Sequence, residues 1–413
     1  MHRIHGGLTV VAPITGNSKK LSALLQLLNV NGDLSVFHKS ATTLFVAGVI
    51  LPQQDYNGTK GDLPESLVFA TSYCGPLSTH LNDLWETNSA TLLSIFSYCK
   101  NFPLVPDKDN IISFLKTHSH TGSFTSRFDL ITKNEVQLEK KLRKEIERYI
   151  ENAQALNAFD GLRKVEIKTL IYRHLQSQGN EYAWAFIPFK KNIRERLYTT
   201  LRKLLLIIII LPLIIILFVP LGVILLYINK GKNAPATRPD DARVRDITAT
   251  QLNPVVNGMT AAAPLKKGRV RRYFYFFALK LIGLFYRAKV PTVSSIRWLS
   301  IDNKKRLLFL SNYSNTTDFY VRDFLIGSTP IGVNFMFSNG EGFPDATLSF
   351  LGGIRKYPEE YMNAVHTGQH VMDLWYTHES ELAVDMINRN RTIRNGLVKR
   401  MDEDEATEWL RLF

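Results

Sequence analysis

The stretch LVFATSYCGPLSTHLNDLW at residues 67–85 is the strongest indication of the fold, because it recurs as LLFLSNYSNTTDFYVRDFL at residues 307–325. Each copy begins as a β-rich run and continues into a helical pattern. Three residues return at one constant spacing: Phe69, Tyr73 and Asp83 become Phe309, Tyr313 and Asp323. Matches that keep a constant spacing predict an internal duplication of the chain.

Shorter matches extend the duplication on both sides. Residues 5–14 are similar to residues 256–265, and CKNFP at residues 99–103 is matched by GEGFP at residues 340–344. In the first of these pairs Gly7, Thr9, Ala12 and Pro13 return as Gly258, Thr260, Ala263 and Pro264. The matches follow in the same order in both halves, so we predict that most of each half is duplicated.

Each copy predicts the order βαββαβ, which is the ferredoxin-like unit. The first copy predicts strands at 8–14, 40–51, 66–73 and 123–130, with helices at 19–28 and 77–88. The second predicts strands at 255–264, 296–301, 307–313 and 371–376, with helices at 270–286 and 317–325.

One face of each such sheet needs a cover. We therefore predict an α+β fold in which two ferredoxin-like βαββαβ repeats pack sheet to sheet as a pseudo-dimeric α+β barrel. The alternative is two separate units, each covered by another chain. A homo-oligomer is compatible with either arrangement.

Asp83 and Asp323 recur in matching helices, which favours a structural role for both over catalysis.

Residues 204–228 form an apolar run of 25 residues without a charge. A crossing helix needs about 20 such residues, so the run predicts an apolar membrane helix or hairpin between the repeats. Pro212 and Pro220 would kink it. Because the two repeats must lie on one side to pack together, we expect a proline-bent insertion, with a straight crossing as the alternative.

The net charge of +14 and the mean hydropathy of −0.07 describe a basic chain that is mostly soluble domain. Lysines and arginines crowd both flanks of the apolar run, which favours membrane lipid with anionic head groups as a partner. The expected location is the membrane, with the soluble domains on the cytoplasmic face. No nucleic-acid motif is present, so nucleic acid is not an expected partner. Two cysteines make neither a disulfide framework nor a zinc set, and no metal is expected.

The expected domain organisation follows from these patterns. It comprises a first repeat at residues 1–132, a helical connector at 133–202, a membrane segment at 203–229, a linker at 230–250, a second repeat at 251–380 and a helical tail at 381–413.

Several short motifs resemble a largely uncharacterised family of bacterial membrane-associated proteins with tandem ferredoxin-like halves. They are PTVSSIRW at 291–298, LFLSNY at 308–313, NGEGFP at 339–344, GGIR at 352–355, and in the first half TSY at 71–73 and CKNFP at 99–103. The family pattern usually has His where this chain has Ser294, and His38 occupies the corresponding place in the first half. The wider superfamily includes dye-decolourising peroxidases, although their Gly-x-x-Asp-Gly element is missing here.

The resemblance implies a heme-dependent, peroxidase-like oxidoreductase as one hypothesis. The candidate catalytic residues are Arg297, His38 and His366, and the candidate heme-binding residues are His366, His370 and Arg355. A heme needs an axial histidine, and an arginine can hold a propionate in a bidentate manner. For each histidine the alternative is a surface or loop position, and for Arg297 it is an ion pair with Asp302. His118, His120 and His378 are further available histidines.

The second hypothesis is a non-catalytic module that binds a lipid-like or apolar small molecule between the sheets, at the membrane surface. No paired carboxylates, nucleophile elbow, P-loop or HExxH motif is legible. The sequence therefore leaves open whether the chain is an enzyme.

Overall fold

The computed structural model describes residues 4–30, 34–56, 58–128, 131–188, 239–249, 255–269, 290, 292–327, 337–344 and 358–413, with isolated positions between 191 and 220 and between 271 and 279. The predicted membrane insertion at 204–228 lies largely outside these residues, as does most of the helix predicted at 270–286. Arg355 also lies outside them.

The first copy and the connector fold as alternating strands and helices. The strands are β1 (His5–Pro13), β2 (Thr43–Leu51), β3 (Gln54–Tyr56), β4 (Thr59–Leu63), β5 (Ser66–Cys74) and β6 (Ser123–Ser126). The helices are α1 (Ser18–Leu27), α2 (Leu77–Phe96), α3 (Lys108–Thr117), α4 (Lys133–Ala155) and α5 (Lys164–Ser177), with 3₁₀ helices at Val36–Lys39 and Gly179–Phe186. A capping box between Thr132 and Glu135 starts α4, where each side chain bonds the other's backbone N–H.

The second copy follows with five strands among the described residues. They are β7 (Val256–Pro264), β8 (Val293–Ile301), β9 (Arg306–Ser314), β10 (Gln369–His370) and β11 (Leu374–Thr377). The helices are α6 (Asp241–Ala249), α7 (Thr317–Gly327), α8 (Pro358–Gly368), α9 (Val384–Val398) and α10 (Glu403–Leu410).

The last strand of each copy joins the sheet of the other copy. One sheet has the order β1-β5-β2-β11, the other has the order β10-β7-β9-β8-β6, and β3 and β4 form a small hairpin. All pairings are antiparallel. In register, Phe124 of β6 faces Arg297 of β8, and Trp375 of β11 faces Ala47 of β2. Each large sheet is thus completed by a strand from the opposite half of the chain.

The predicted fold class is therefore wrong as stated. The prediction is two ferredoxin-like repeats that form a pseudo-dimeric α+β barrel, with an apolar membrane helix or hairpin between them. The described residues instead form three antiparallel sheets, and two of these mix strands from both halves. Hydrophobic periodicity marks where a strand lies but not which sheet a short last strand joins, so the exchange was missed. Among the described residues, no helix is both long and apolar enough to span a membrane.

The two large sheets face each other across a shared apolar core. Its residues are Val11, Leu44, Phe45, Val49, Leu51, Val68 and Ala70 from the first sheet with Val256, Ala262, Leu299, Ile301, Leu308 and Leu310 from the second. Helices cover the outer faces, where α1, α2 and α3 pack on the first sheet through Leu21, Leu25, Leu84 and Phe114. The core between the sheets therefore belongs to both halves equally.

The recurring aspartates tie a helix to the start of a strand in both copies. Asp83 of α2 accepts hydrogen bonds from Ser40 Oγ at 2.5 Å, from Thr42 Oγ1 at 2.5 Å and from two backbone N–H groups. Asp323 of α7 accepts one from Thr292 Oγ1 at 2.9 Å. Burial alone would raise the pKa of Asp83, but these hydrogen bonds outweigh it and lower the pKa. The contacts agree with the predicted structural role.

We expect an Asp83→Ala variant to lose about 1.5–3 kcal/mol of unfolding free energy at pH 7, because the hydroxyls of Ser40 and Thr42 lose a charged acceptor. A carboxyl whose folded pKa is lowered stabilises the fold above its unfolded pKa of about 3.9, and this contribution is lost as the pH falls through the folded value. The gap between variant and wild type should therefore close below about pH 4 in urea titrations. Asp160→Ala, at an exposed turn, is the control; an equal loss there would contradict the assignment.

Candidate functional site

Arg297 of β8 reaches across the space between the sheets. Its side chain is 6% exposed and donates four hydrogen bonds to the opposite sheet. The acceptors are Leu8 O at 2.6 Å and Thr9 Oγ1 at 3.1 Å for Nη1, and Thr71 O and Ser72 Oγ at 2.6 Å for Nη2. The guanidinium carbon also lies 5.0 Å from the ring centroid of Phe124. One side chain thereby fastens β8 to β1 and β5.

This arrangement restricts what Arg297 can offer a ligand. Both terminal nitrogens already donate twice, so only Nε–H is left and a bidentate grip on a propionate is not available. Asp302 lies 3.2 Å from Arg306, so the alternative pairing of Arg297 with Asp302 does not form. Burial lowers the pKa of Arg297 to about 9, which still leaves it charged at neutral pH. The predicted catalytic role of Arg297 stays a prediction.

The recurring glycines of the two copies make room for different side chains. A Cβ atom on Gly7 would lie 2.8 Å from the guanidinium carbon of Arg297, and one on Gly258 would lie 2.3 Å from Nε1 of Trp375. The indole N–H of Trp375 donates to Asn312 Oδ1 at 3.3 Å. The space over the recurring glycine is therefore filled by the guanidinium of Arg297 in one half and by the indole of Trp375 in the other.

The enclosed cavities between the sheets are small, and a more open pocket of about 180 Å³ lies against Thr9 of β1, Phe124 of β6 and Arg297 of β8. A cavity of about 10 Å³ lies against Ser72, Ser295, Arg297 and Asn312, and a second of about 10 Å³ lies against His5, Ser126 and His378. A single water needs about 10–15 Å³. These two cavities are too small for the lipid-like or apolar molecule that the second hypothesis places between the sheets.

The predicted histidines lie on different elements. His38 is in the 3₁₀ helix Val36–Lys39, whereas His366 is in α8 and His370 is in β10 of the second sheet. Nε2 of His366 lies 3.3 Å from Asp318 Oδ1. Burial, with the nearby charges of Arg243 and Arg306, lowers the pKa of His370 to about 4. The structure therefore does not bring His38 together with the other two.

His38 lies instead in an open groove of about 680 Å³. We call it the lysine–histidine groove, and its lining residues are Leu34, His38, Asn134, Gln137, Leu138, Lys140, Lys141, Lys144, His378, Glu379, Ser380 and Glu381. It runs between the 3₁₀ helix, α4 and the loop after β11. Sites for small molecules usually measure about 300–1,000 Å³, so this groove has the size of a ligand site.

His378 forms the inner wall of the lysine–histidine groove. Its Nδ1 lies 3.1 Å from the carbonyl oxygen of Leu44, which can only accept, so the ring proton sits on Nδ1 and Nε2 is an acceptor. Nε2 is buried and has no hydrogen-bond partner among the described residues. Burial, with Lys133, His5 and His38 adding to it, lowers the pKa of His378 to about 3. The imidazole is therefore neutral at physiological pH, with an unused acceptor.

The outer wall of the groove carries lysines from α4. Lys140 Nζ lies 2.9 Å from Glu379 Oε1 and 2.6 Å from Glu381 Oε2. Burial lowers its pKa, but the bonds to these two carboxylates outweigh that effect and raise it. Lys144 lies 3.9 Å from Glu381, whereas exposed Lys141 has no carboxylate partner in the part of the chain that the structure describes. Lys141 is thus a cation in the groove that is open to a ligand.

Sequence reasoning placed His38 at the candidate site and counted His378 only among the available histidines. The signal that could have marked His378 is its position directly after the short strand β11. That strand crosses to the other sheet, so its end meets elements of the first copy.

No protein-family model, curated protein or solved structure matches the chain. The resemblance to a bacterial family therefore stays a prediction, and the function is argued from the geometry of the groove.

Proposed function

We propose that this chain is a non-catalytic binding module that takes a small acidic molecule in the lysine–histidine groove. The observation that carries the proposal is the pairing of an unused buried acceptor, Nε2 of His378, with a cation at the rim, Lys141, that no described carboxylate neutralises. A ligand with a negatively charged group would pair with Lys141, and its hydroxyl or N–H group would donate to Nε2 of His378 once the side chains that cover this atom move aside. Buried polar groups are normally hydrogen-bonded, so an unsatisfied one in a ligand-sized groove points to a missing partner.

Binding is favoured over catalysis by the state of the titratable groups. A general acid or base works best when its pKa lies near the working pH. The pKa of His378 is about 3, and Glu379 is held by Lys140. The imidazole of His378 is therefore not poised to exchange a proton at neutral pH.

The heme-dependent peroxidase-like hypothesis has less support. Its candidate catalytic residues do not come together, because His38 lies in the groove and His366 lies in α8. The alternative of a lipid-like molecule between the sheets lacks space there, because each of the two enclosed cavities measures about 10 Å³. The open groove outside the sheets has the volume that both cavities lack.

The proposal is tested by thermal unfolding in the presence of defined hydroxycarboxylates and amino acids. A true ligand at about 100 times its Kd should add about 2.7 kcal/mol to the unfolding free energy. Lys141→Gln should weaken that ligand about fivefold to tenfold, because one cation is removed from its charged group. Lys164→Gln removes another exposed lysine, on α5, and should leave affinity unchanged.

A second variant separates binding from folding. His378→Phe keeps an aromatic ring but removes the Nε2 acceptor, and it should abolish the ligand-dependent stabilisation while circular dichroism stays native. If no compound stabilises the wild type, or if His378→Phe and Lys141→Gln respond as the wild type does, the proposal is wrong.

A further inference from the structure

A second polar pocket lies at the turn between β8 and β9. Its lining residues are Arg269, Arg272, Tyr273, Asn303 and Lys304, around a volume of about 230 Å³. We call it the arginine–lysine pocket. It shares no residue with the lysine–histidine groove, so the two sites are independent and a ligand here does not rest on the proposed function.

The arginine–lysine pocket holds three cations and no acidic side chain among its described lining residues. Two carboxylates of the turn region are used elsewhere: Asp302 lies 3.2 Å from Arg306, and Asp62 lies 2.6 Å from Lys305. Within the part of the chain that the structure describes, no carboxylate lies within ion-pair distance of the three pocket cations. No described residue of the chain therefore neutralises their charge.

The turn holds Lys304 in place at a conformational cost. Asp302, Asn303 and Lys304 have φ values of 51°, 53° and 65°, in the left-handed region that non-glycine residues rarely adopt. The N–H of Lys305 closes the turn by donating to the carbonyls of Ile301 and Asp302, both at 3.1 Å. Strained backbone of this kind persists where the surrounding structure determines it, and it clusters at ligand sites.

The ammonium group of Lys304 is positioned over two aromatic rings. Its Nζ lies 4.5 Å from the ring centroid of Tyr273 and 4.6 Å from that of Phe276. The rings fix the cation at the pocket beside the two arginines instead of leaving it free in solvent. A lysine held in this way loses less freedom when an anion binds.

We infer that the arginine–lysine pocket binds a phosphate group. Arginine presents a planar fork of donors that matches phosphate oxygens, and lysine adds a point charge. Tyr273 is 57% exposed beside these cations, and an exposed tyrosine is typical of a surface where one end of the ring is apolar and the other wet. This neighbour favours the phosphate of a lipid head group over a freely soluble one.

The test uses the full chain in mild detergent and three water-soluble probes. They are dihexanoyl phosphatidic acid, dihexanoyl phosphatidylcholine and inorganic phosphate, each titrated by calorimetry at low and high salt. We expect the phosphatidic acid to bind most tightly, with an affinity that falls as salt rises. If inorganic phosphate binds as tightly as phosphatidic acid, the ligand is not a lipid head group. If neither phosphatidic acid nor inorganic phosphate binds, the proposed site is wrong.

Two triple variants distinguish lipid binding at the pocket from attraction by the overall charge of the chain. Arg269→Gln/Arg272→Gln/Lys304→Gln should weaken phosphatidic acid roughly 100-fold, because each cation near an anionic head group contributes several-fold. Lys19→Gln/Lys20→Gln/Lys100→Gln removes the same charge from exposed positions elsewhere and should stay within about twofold of the wild type. An equal loss in both variants would mean that net charge, not the pocket, attracts the lipid.

Discussion

An Arg297→Ala variant is expected to lose about 3–5 kcal/mol of unfolding free energy, because four buried hydrogen bonds between the sheets would be lost and a cavity would open in their place. The acceptors of these bonds belong to β1 and β5, whereas Arg297 belongs to β8. The side chain therefore joins the two sheets directly. Chemical denaturation of the purified variant measures the loss.

Two further variants test the same contacts. Arg297→Lys keeps the charge but has no fork, so it should recover only part of the stability. Arg322→Ala, at an exposed position of α7, should change the unfolding free energy by less than about 0.5 kcal/mol. A loss below about 1 kcal/mol in Arg297→Ala would show that the contacts across the sheets are not stabilising.

The fold is also expected to be acid-sensitive below about pH 6, since three buried histidines resist protonation in the folded state. Burial is the main cause that lowers the pKa of His80 and His378 to about 3 and that of His370 to about 4. The unfolded chain takes up these protons first, near the ordinary pKa of about 6.5. Stability is therefore complete above that value and is lost as the pH falls towards the folded values.

With three protons involved, unfolding free energy should fall by as much as about 4 kcal/mol per pH unit. His80→Tyr offers a matched variant, because Tyr320 occupies the corresponding position of the second copy. His80 stacks on Tyr73 at 4.1 Å, and Tyr320 stacks on Tyr313 at 4.1 Å. The variant should reduce the slope by about 1.4 kcal/mol per pH unit in urea titrations between about pH 6.5 and 5. An unchanged slope would exclude His80 as a source of the acid sensitivity.

Much of the local structure could be predicted because duplication and periodicity report directly on it. The helix predicted at 19–28 is found at Ser18–Leu27, and the strand predicted at 66–73 is found at Ser66–Cys74. The strands predicted at 296–301 and 307–313 are found as the paired strands β8 and β9. These features depend on residues close together in the chain, which is where sequence patterns carry information.

The candidate site could be predicted only in part, because it depends on contacts between distant segments. His38 lies in the groove, but the inner wall of the groove is formed by His378, which directly follows the exchanged strand β11. The buried acceptor on His378 results from the Nδ1–H group donating to the carbonyl oxygen of Leu44. No spacing of residue types encodes that contact. The domain boundaries, the lipid partner and the cytoplasmic location stay predictions.

The exchanged strand also affects how the chain is made. β2 is synthesised early, yet Phe45 gains its partner Thr377 only after roughly 330 further residues. At about 5–20 residues per second, one edge of β2 stays uncovered on the ribosome for roughly 15–65 s. An apolar edge strand left open for that time invites wrong pairing with other nascent chains. Efficient production of this protein should therefore depend on chaperones that shield the first half until the second is complete.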